Sequence, residues 1–303
     1  MNKRIAFAAS GLVFVPFAFA LAASGSVTGG STTKAAAPVQ LPAATAVAPA
    51  PTPKPTPKPT ATVAASSTVS SSTTTPALAK LAPLNLSDMW LWNWNGKWHA
   101  SEWNNANSQI PWRYNRVVRQ TGGDVKFRLD ATGAPQLQAL NGTPAYSRGL
   151  WEVEATIPAL REGMVVAPLW LYGSASKDEI DFEFVGRRGL DVSLHAYPGG
   201  VHKQDTVRLF AGTDLSGKRM RFGIKLDQTA GTAIMLIDGK VVHTWSKAKL
   251  GWFVTKPVKP LIEVWAANPQ LSWLTSWTGV WTPLPTGDHR TMTVHGYGYT
   301  PIA

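Results

Sequence analysis

The 303-residue chain contains no cysteine, so neither a disulfide nor a thiolate zinc site can hold its fold together. Its six histidines show no HxH or HxxxH spacing, and we therefore expect no bound metal. Long stretches with helical periodicity are also missing, which argues against an all-α fold. Stability must come from packing alone.

Acidic and aromatic residues are both missing from Ala23 to Pro83, a stretch rich in Ala, Thr, Ser and Pro. It contains the repeat PTPKPTPKPT at Pro51–Thr60, which favours an extended polyproline conformation. Such a composition cannot bury enough apolar surface to form a core. We predict that residues 23–84 are a disordered linker.

The N-terminus has the three parts of a secretory signal. Met1–Arg4 is basic, and Ile5–Ala20 is an apolar run of 16 residues, interrupted by Pro16. Ala18, Ala20 and Ala22 offer A-x-A cleavage sites at its end. The apolar run is short for a helix that spans a membrane. We therefore predict a signal peptide over residues 1–22 and no membrane span after cleavage. The protein is expected to be secreted or periplasmic, with association to the cell surface.

Residues 85–303 remain as one domain with room for a large core. Short alternating segments are separated by Gly, Pro, Asn or Asp turns, such as Asp238-Gly239 between two apolar runs. This pattern predicts an all-β fold, an antiparallel jelly-roll β-sandwich.

The net charge of +11 is unevenly distributed. The first 84 residues hold six basic and no acidic groups, which leaves 23 Lys and Arg against 18 Asp and Glu, or +5, for the domain. This surplus suits anionic glycans or an outer-membrane surface. The basic residues are scattered, and the predicted signal peptide would take the protein away from nucleic acid, so we expect no nucleic acid partner. We expect a monomer.

The segment Asp178–Phe184 reads DEIDFEF and carries the chemistry. In a strand, Glu179, Asp181 and Glu183 share one face, because successive side chains point to opposite sides. Three like charges on one face repel, which raises the pKa of at least one of them. An acidic solvent-facing strand or a cation site would give the same pattern, although calcium sites favour loops with sharp glycine turns.

The spacing of the glutamates fits retaining glycoside hydrolysis. Glu179 and Glu183 are about 13 Å apart along a strand, and their side chains could approach to the ~5 to 5.5 Å that this reaction needs. One would attack the sugar, while the other protonates the leaving oxygen. Asp181 could share a proton with either, and no cofactor is required. Spacing does not decide which glutamate is which.

DEIDFEF with the following Val185 and Gly186 resembles the catalytic signature of glycoside hydrolase family 16, most closely its lichenase-like branch of endo-β-1,3-1,4-glucanases and succinoglycan depolymerase-like enzymes. In that branch the motif lies on a strand without a bulge. The resemblance extends over roughly residues 85–303. Its further segments are YSRGLWEVEATI at Tyr146–Ile157, APLWLYG at Ala167–Gly173, VSLHAY at Val192–Tyr197, LIDGKVVHTW at Leu236–Trp245 and EVWAANPQLSW at Glu263–Trp273.

The resemblance implies a role for each carboxylate. Glu179 would be the nucleophile, Glu183 the general acid/base and Asp181 the assisting carboxylate. It also implies a substrate cleft across the concave sheet of the sandwich. A calcium-binding Asp that the family often has in its last strand is replaced by Met292, so no calcium site is expected.

All fourteen tryptophans lie between Trp90 and Trp281. Aromatic rings stack on the apolar faces of sugars, but tryptophan also fills sandwich cores, as we expect for Trp151 and Trp245. A dense cluster from Trp90 to Trp103 fits either role. The candidate substrate-binding residues are Trp170, Tyr172, His195, Tyr197, Trp265 and Trp273, with Lys177 and Glu263.

Lys177 and Glu263 are included because they depart from the lichenase pattern, which has Trp and Asn at these positions. Plain mixed-linkage glucan is thus in doubt as the substrate. Lys177 could pair with a uronate, succinyl or pyruvyl group on an acidic chain, or it could be a solvated loop lysine.

Together these features predict a secreted, endo-acting, retaining β-glycan hydrolase. Its partner would be a polysaccharide, either a β-glucan or an acidic bacterial exopolysaccharide. Two alternatives stay open: a transglycosylase using the same residues, and a non-catalytic glycan-binding protein. The three intact carboxylates argue against the second.

Overall fold

In a computed structural model, the chain is described over residues 78–84, 86, 98–138 and 146–302. The predicted signal peptide, nearly all of the predicted linker and Trp90, Trp92 and Trp94 lie outside these residues. No helix within the described ranges has the length and apolarity needed to cross a membrane.

The described residues form fourteen strands and two short α-helices. The strands are β1 (His99–Ala100), β2 (Val117–Arg119), β3 (Val125–Asp130), β4 (Gln136–Gln138), β5 (Arg148–Thr156), β6 (Met164–Gly173), β7 (Asp178–Val185), β8 (Leu190–Ala196), β9 (Lys203–Leu209), β10 (Arg219–Asp227), β11 (Thr232–Ile237), β12 (Lys240–Ser246), β13 (Lys259–Ala266) and β14 (His289–Thr300). The helices are α1 (Lys247–Leu250) and α2 (Ser272–Thr278), and single 3-10 turns lie at Tyr114–Arg116 and Pro198–Gly200.

The strands build two seven-stranded sheets. The first has the order β1-β4-β13-β6-β7-β8-β9, and the second has the order β12-β11-β10-β5-β14-β3-β2. All neighbouring strands run antiparallel. Most connections cross between sheets, as in a jelly roll, which confirms the predicted sandwich.

The core lies between the sheets and is aromatic at its centre. Phe182 and Phe184 of β7 meet Phe222 of β10 edge to face, with ring centroids 5.3 and 5.9 Å apart. Trp151 and Trp245 are buried, as predicted. The alternation of β7 thus has a physical basis: Ile180, Phe182 and Phe184 fill this core, so Glu179, Asp181 and Glu183 must face the other way.

The turn predicted at Asp238-Gly239 joins β11 to β12. Both residues have positive φ angles, 50° and 73°, which is the conformation of a two-residue hairpin turn whose twist matches that of its strands.

Residues 78–84, which composition placed in the linker, pack against the second sheet; we call them the N-terminal strap. The Ala79 carbonyl accepts a hydrogen bond from Arg221 of β10, and the Ala82 carbonyl accepts one from the Tyr297 N–H of β14. Leu81 and Leu84 are buried. The folded unit therefore begins before residue 85.

Gly296 permits this close approach, because a Cβ there would lie 2.7 Å from the Cβ of Leu81 and 3.0 Å from the carbonyl oxygen of Ala82. Gly296→Ala is expected to destabilise the protein by about 1–3 kcal/mol, since the strap must shift. Thermal unfolding followed by circular dichroism should show a Tm lower by roughly 2–4 °C per kcal/mol. Gly122→Ala is the control, because a Cβ there meets nothing within 4 Å. Equal Tm values for the two variants would contradict the packing of the strap.

Candidate active site

Three of the four carboxylates in the DEIDFEF segment, those of Glu179, Asp181 and Glu183, share the outer face of the first sheet. β7 pairs continuously with β8 from Glu179 to Phe184, so the motif carries no bulge, as predicted. The one register shift between β6 and β7 falls in β6, between Val166 and Leu169. Asp181 is 1% exposed, and Glu179 and Glu183 on either side of it are half-buried.

Burial and mutual repulsion both favour the protonated forms of these carboxyls. Burial raises the pKa of Glu183 well above its usual range, and the nearby charges of Asp181 and Glu179 raise it further. Burial is also the main cause of the raised pKa values of Glu179 and Asp181. Three ionised carboxylates cannot coexist at this spacing, so the cluster retains protons near neutral pH. This is the condition that a general acid requires.

His195 closes the cluster from the neighbouring strand. It is the cross-strand partner of Glu179, and its Nε2 lies 3.5 Å from Asp181 Oδ2. Its Nδ1 lies 3.1 Å from Nε2 of His202, and the two rings are parallel. Burial lowers the pKa of His195. A neutral imidazole here can exchange a hydrogen bond with the carboxyl cluster without adding charge.

Donor atoms of Glu179, Asp181 and His195 lie within 4.8 Å of one another, the one group of three among the described residues that is compact enough for a metal ion. Two of the three are the predicted nucleophile and its assisting carboxylate. The chemistry predicted for the cluster, proton sharing and attack on a sugar, uses these groups directly and calls for no metal.

An open cleft of about 290 Å³ lies over the carboxylates. Six of the eight predicted substrate-binding residues line it: Trp170, Tyr172, His195, Glu263, Trp265 and Trp273. The sequence missed several other lining residues, among them Trp112, Gln136, Gln138 and Trp277. Trp277 could have been found, because it follows Trp273 at the four-residue spacing of one helix face.

The remaining two predicted residues lie beside the cleft. Lys177 ends the turn between β6 and β7, where it has a left-handed φ of 62°. Its Nζ lies 5.8 Å from the ring centroid of Tyr197, which in turn stacks on His202. Neither Lys177 nor Tyr197 is among the residues that line the central cleft.

The two described members of the Trp90–Trp103 cluster, Trp98 and Trp103, lie in different environments. Trp98 is buried and packs edge to face on Tyr297, with centroids 4.9 Å apart. Trp103 instead lines the cleft. Composition could not separate these two, because both lie in short irregular segments.

Glu263 is a further carboxyl in the cleft, buried on β13. Gln136 Nε2 donates a hydrogen bond to it, the Ser101 hydroxyl donates to Gln136 Oε1 (2.6 Å), and Gln138 Nε2 donates to Ser101 (2.9 Å). Burial raises the pKa of Glu263 to about 7, against the opposing effect of the Gln136 hydrogen bond. The amide nitrogen of Gln136 can only donate, so Glu263 is the acceptor in this hydrogen bond.

Two tryptophans of the cleft have buried indole N–H groups. Nε1 of Trp170 and Nε1 of Trp265 are buried and have no hydrogen-bond partner within the described part of the chain. A buried donor without a partner lowers the stability of the fold.

Asp178, the first acid of DEIDFEF, has a structural task. Its Oδ2 accepts hydrogen bonds from the backbone N–H groups of Thr255 (2.7 Å) and Lys256 (3.1 Å). It fixes the segment that leads into β13 and takes no part in the cleft.

Comparison with known proteins agrees with this geometry. Residues 104–282, more than half of the chain, match the family model for glycosyl hydrolases family 16. A beta-glucanase of Paenibacillus polymyxa is 27% identical over 194 residues, which cover 60% of this chain and 78% of that protein. A beta-glucanase of Bacillus licheniformis is 25% identical over 205 residues, covering 65% and 81%.

Solved structures show the same fold. The Bacillus licheniformis beta-glucanase superimposes with a TM-score of 0.55 at 19% identity, covering 73% of this chain and 96% of its own. A lichenase from a mouse hindgut metagenome gives a TM-score of 0.54 at 18% identity, covering 68% and 93%. With the carboxylate strand, the cleft and the family match in agreement, the chain belongs to glycosyl hydrolases family 16.

Proposed function

We propose that the protein is a secreted, endo-acting, retaining β-glucan hydrolase. The observation that carries the proposal is the arrangement of Glu179 and Glu183 on either side of the buried Asp181, at the floor of an open cleft walled by tryptophans. An open cleft favours attack within a polymer chain. The beta-glucanase names of the relatives support the substrate class, and the N-terminal sequence supports export.

The reaction would follow double displacement. Glu179 attacks the anomeric carbon while the bond to the leaving sugar breaks, and Glu183 gives its proton to the leaving oxygen. A water then attacks the same carbon, Glu183 accepts its proton, and the bond to Glu179 breaks. Asp181 shares a proton with the cluster, so the two glutamates can differ in protonation. The family pattern supports this assignment of roles.

The charge of the cleft favours a neutral chain at its centre. The lining includes Glu179, Glu183 and Glu263, whereas no Lys or Arg belongs to it in the described part of the structure. A uronate placed there would be repelled. The polar groups that remain, amides and indole N–H groups, suit sugar hydroxyls.

An acidic exopolysaccharide is the second candidate, and Lys177 is the observation that favours it. Lys177 is exposed beside Tyr197, next to the cleft, in a backbone conformation that a lysine adopts at some cost. A substituent that projects from the chain at this end could pair with its ammonium.

One assay tests the proposal and separates these substrates. Reducing-end release is measured on a panel of mixed-linkage glucan, β-1,3-glucan and succinylated or pyruvylated acidic polymers. We expect internal cleavage of a neutral β-glucan, with hydrolysis products even when excess acceptor sugar is present. Transfer products would indicate a transglycosylase, and binding without cleavage on every polymer would refute an enzyme.

Lys177→Ala provides a matched prediction for the panel. We expect kcat/KM on a neutral glucan to change less than about twofold, because Lys177 lies outside the central lining. On an acidic polymer a loss of about fivefold or more is expected if the lysine pairs with the substituent. Lys203→Ala, at the start of the exposed β9, is the control. Equal effects of Lys177→Ala on both substrates would contradict the pairing of Lys177 with an acidic substituent.

A further inference from the structure

Asp191 is a buried carboxylate next to the candidate general acid that the mechanism above leaves unused. It lies on β8, is 3% exposed, and is the cross-strand partner of Glu183. Arg208 of β9 binds both of its oxygens through Nε (2.7 Å) and a terminal nitrogen (2.8 Å). This bidentate pair places one compensated negative charge beside Glu183.

The same carboxylate holds an aromatic wall of the cleft. Nε1 of Trp277 in α2 donates a hydrogen bond to Asp191 Oδ2 at 2.9 Å. The Trp277 ring lies 6.4 Å from that of Trp265, and both line the cleft. The Arg188 guanidinium also donates to the backbone carbonyls of Ser276 and Trp277, so this end of α2 is tied to the sheet at two points.

We propose that Asp191 is a positioning residue for the glycosidase reaction: with Arg208 it sets the charge environment of Glu183, and through Trp277 it fixes the cleft wall on that side. The role rests on the proposed function, because it acts on the acid/base glutamate. Neither Asp191 nor Arg208 lines the cleft, so neither touches the substrate. They act through Glu183 and Trp277.

Glu183 is surrounded by titratable groups from several strands. Asp181 and Glu179 lie on its own strand, Asp191 and His195 on β8, and Glu263 on β13. Burial is the first cause of its raised pKa, and all four of these carboxylates add to it. Arg208 on β9 offsets the contribution of Asp191, because its positive charge is bound directly to that carboxylate.

The two partners of the ion pair should therefore shift the pH profile in opposite directions. Asp191→Asn removes a negative charge and leaves Arg208, so the pKa of Glu183 falls and the alkaline limb of kcat/KM moves to lower pH. Arg208→Gln leaves Asp191 uncompensated, so the limb moves to higher pH. Each shift is expected to be roughly one pH unit. Asparagine keeps the shape of the side chain and an acceptor for Trp277.

Trp277→Phe separates the positioning of the cleft wall from the effect of Asp191 on the charge environment of Glu183. Phenylalanine keeps an aromatic ring but cannot donate to Asp191, so the ring loses its anchor. We expect KM to rise about threefold to tenfold, kcat to change less than about twofold, and the pH limb to stay in place.

Glu152→Gln is the matched control for these variants. Glu152 of β5 forms a similar bidentate pair with Arg221 of β10, at 2.9 Å for both bonds, on the outer face of the second sheet. A purely structural ion pair should change Tm and leave both the pH profile and KM unchanged. Glu152→Gln is expected to behave in this way.

The outcomes separate the inference from the proposed function. Opposite limb shifts in Asp191→Asn and Arg208→Gln support it, and shifts of one sign, or none, overturn it. If the wild type cleaves no glycan, the proposed function fails first, and the indole N–H resonance of Trp277 in NMR spectra still reports on the anchor. A Trp277 resonance that is unchanged in an Asp191→Ala variant would then overturn the positioning role.

Discussion

Glu179→Gln and Glu183→Gln are each expected to lower kcat/KM for β-glucan hydrolysis by about 10³-fold or more. Glutamine keeps the size of the side chain but can neither attack the anomeric carbon nor donate a carboxyl proton. The loss should appear in reducing-end release and leave Tm near that of the wild type. Glu154→Gln, an acid on the outer face of β5, is the control and should retain full activity.

An activated substrate distinguishes the two glutamates. An aryl β-glycoside whose phenol leaves as an anion needs no proton, so its first step should survive in Glu183→Gln but not in Glu179→Gln. The Glu183 variant would then release a burst of phenol and stall before hydrolysis. Bursts from both variants, or glycan cleavage near the wild-type rate in either, would refute the assignment of roles.

Asp181→Asn is expected to lower kcat by about 10²-fold and to move the whole pH profile to lower pH. The charge of Asp181 raises the pKa of Glu179 and of Glu183, so its removal lowers both. The acid limb, where the nucleophile becomes protonated, and the alkaline limb, where the acid loses its proton, should both shift by about one to two pH units. The measurement is kcat/KM from about pH 4 to 10.

The control for this variant is Asp227→Asn in the second sheet, where the aspartate pairs with Arg148 away from the cleft. It should leave the profile unchanged. An activity loss in Asp181→Asn without movement of either limb would mean that Asp181 only shapes the site. That result would contradict proton sharing by Asp181, but it would not contradict the cleft as the site of substrate binding.

The parts of the fold that are encoded locally could be predicted from the sequence. The alternation from Glu179 to Phe184 predicts which side of β7 bears Glu179, Asp181 and Glu183, because the apolar residues between them must face the core. Asp238-Gly239 identified a hairpin from two residues alone. Both predictions need only the geometry of a strand and of a turn.

The rest of the site depends on contacts between distant segments. The hydrogen bond from Gln136 to Glu263 joins residues 127 positions apart, and β4, which carries Gln136, is too short to show a pattern. The ion pair of Asp191 and Arg208 requires the register of β8 against β9. No spacing rule predicts such a register before the sheet is built. The folded unit also begins before residue 85, the predicted start of the domain. Leu81 and Leu84 are buried, although the average composition of their segment is that of a spacer.

The N-terminal strap and the cleft belong to different sheets of the sandwich. The strap contacts β10 and β14 of the second sheet, whereas the cleft lies over β7 and β13 of the first sheet. Residues 78–84 therefore pack on the sheet that does not bear the cleft, and none of them lines it.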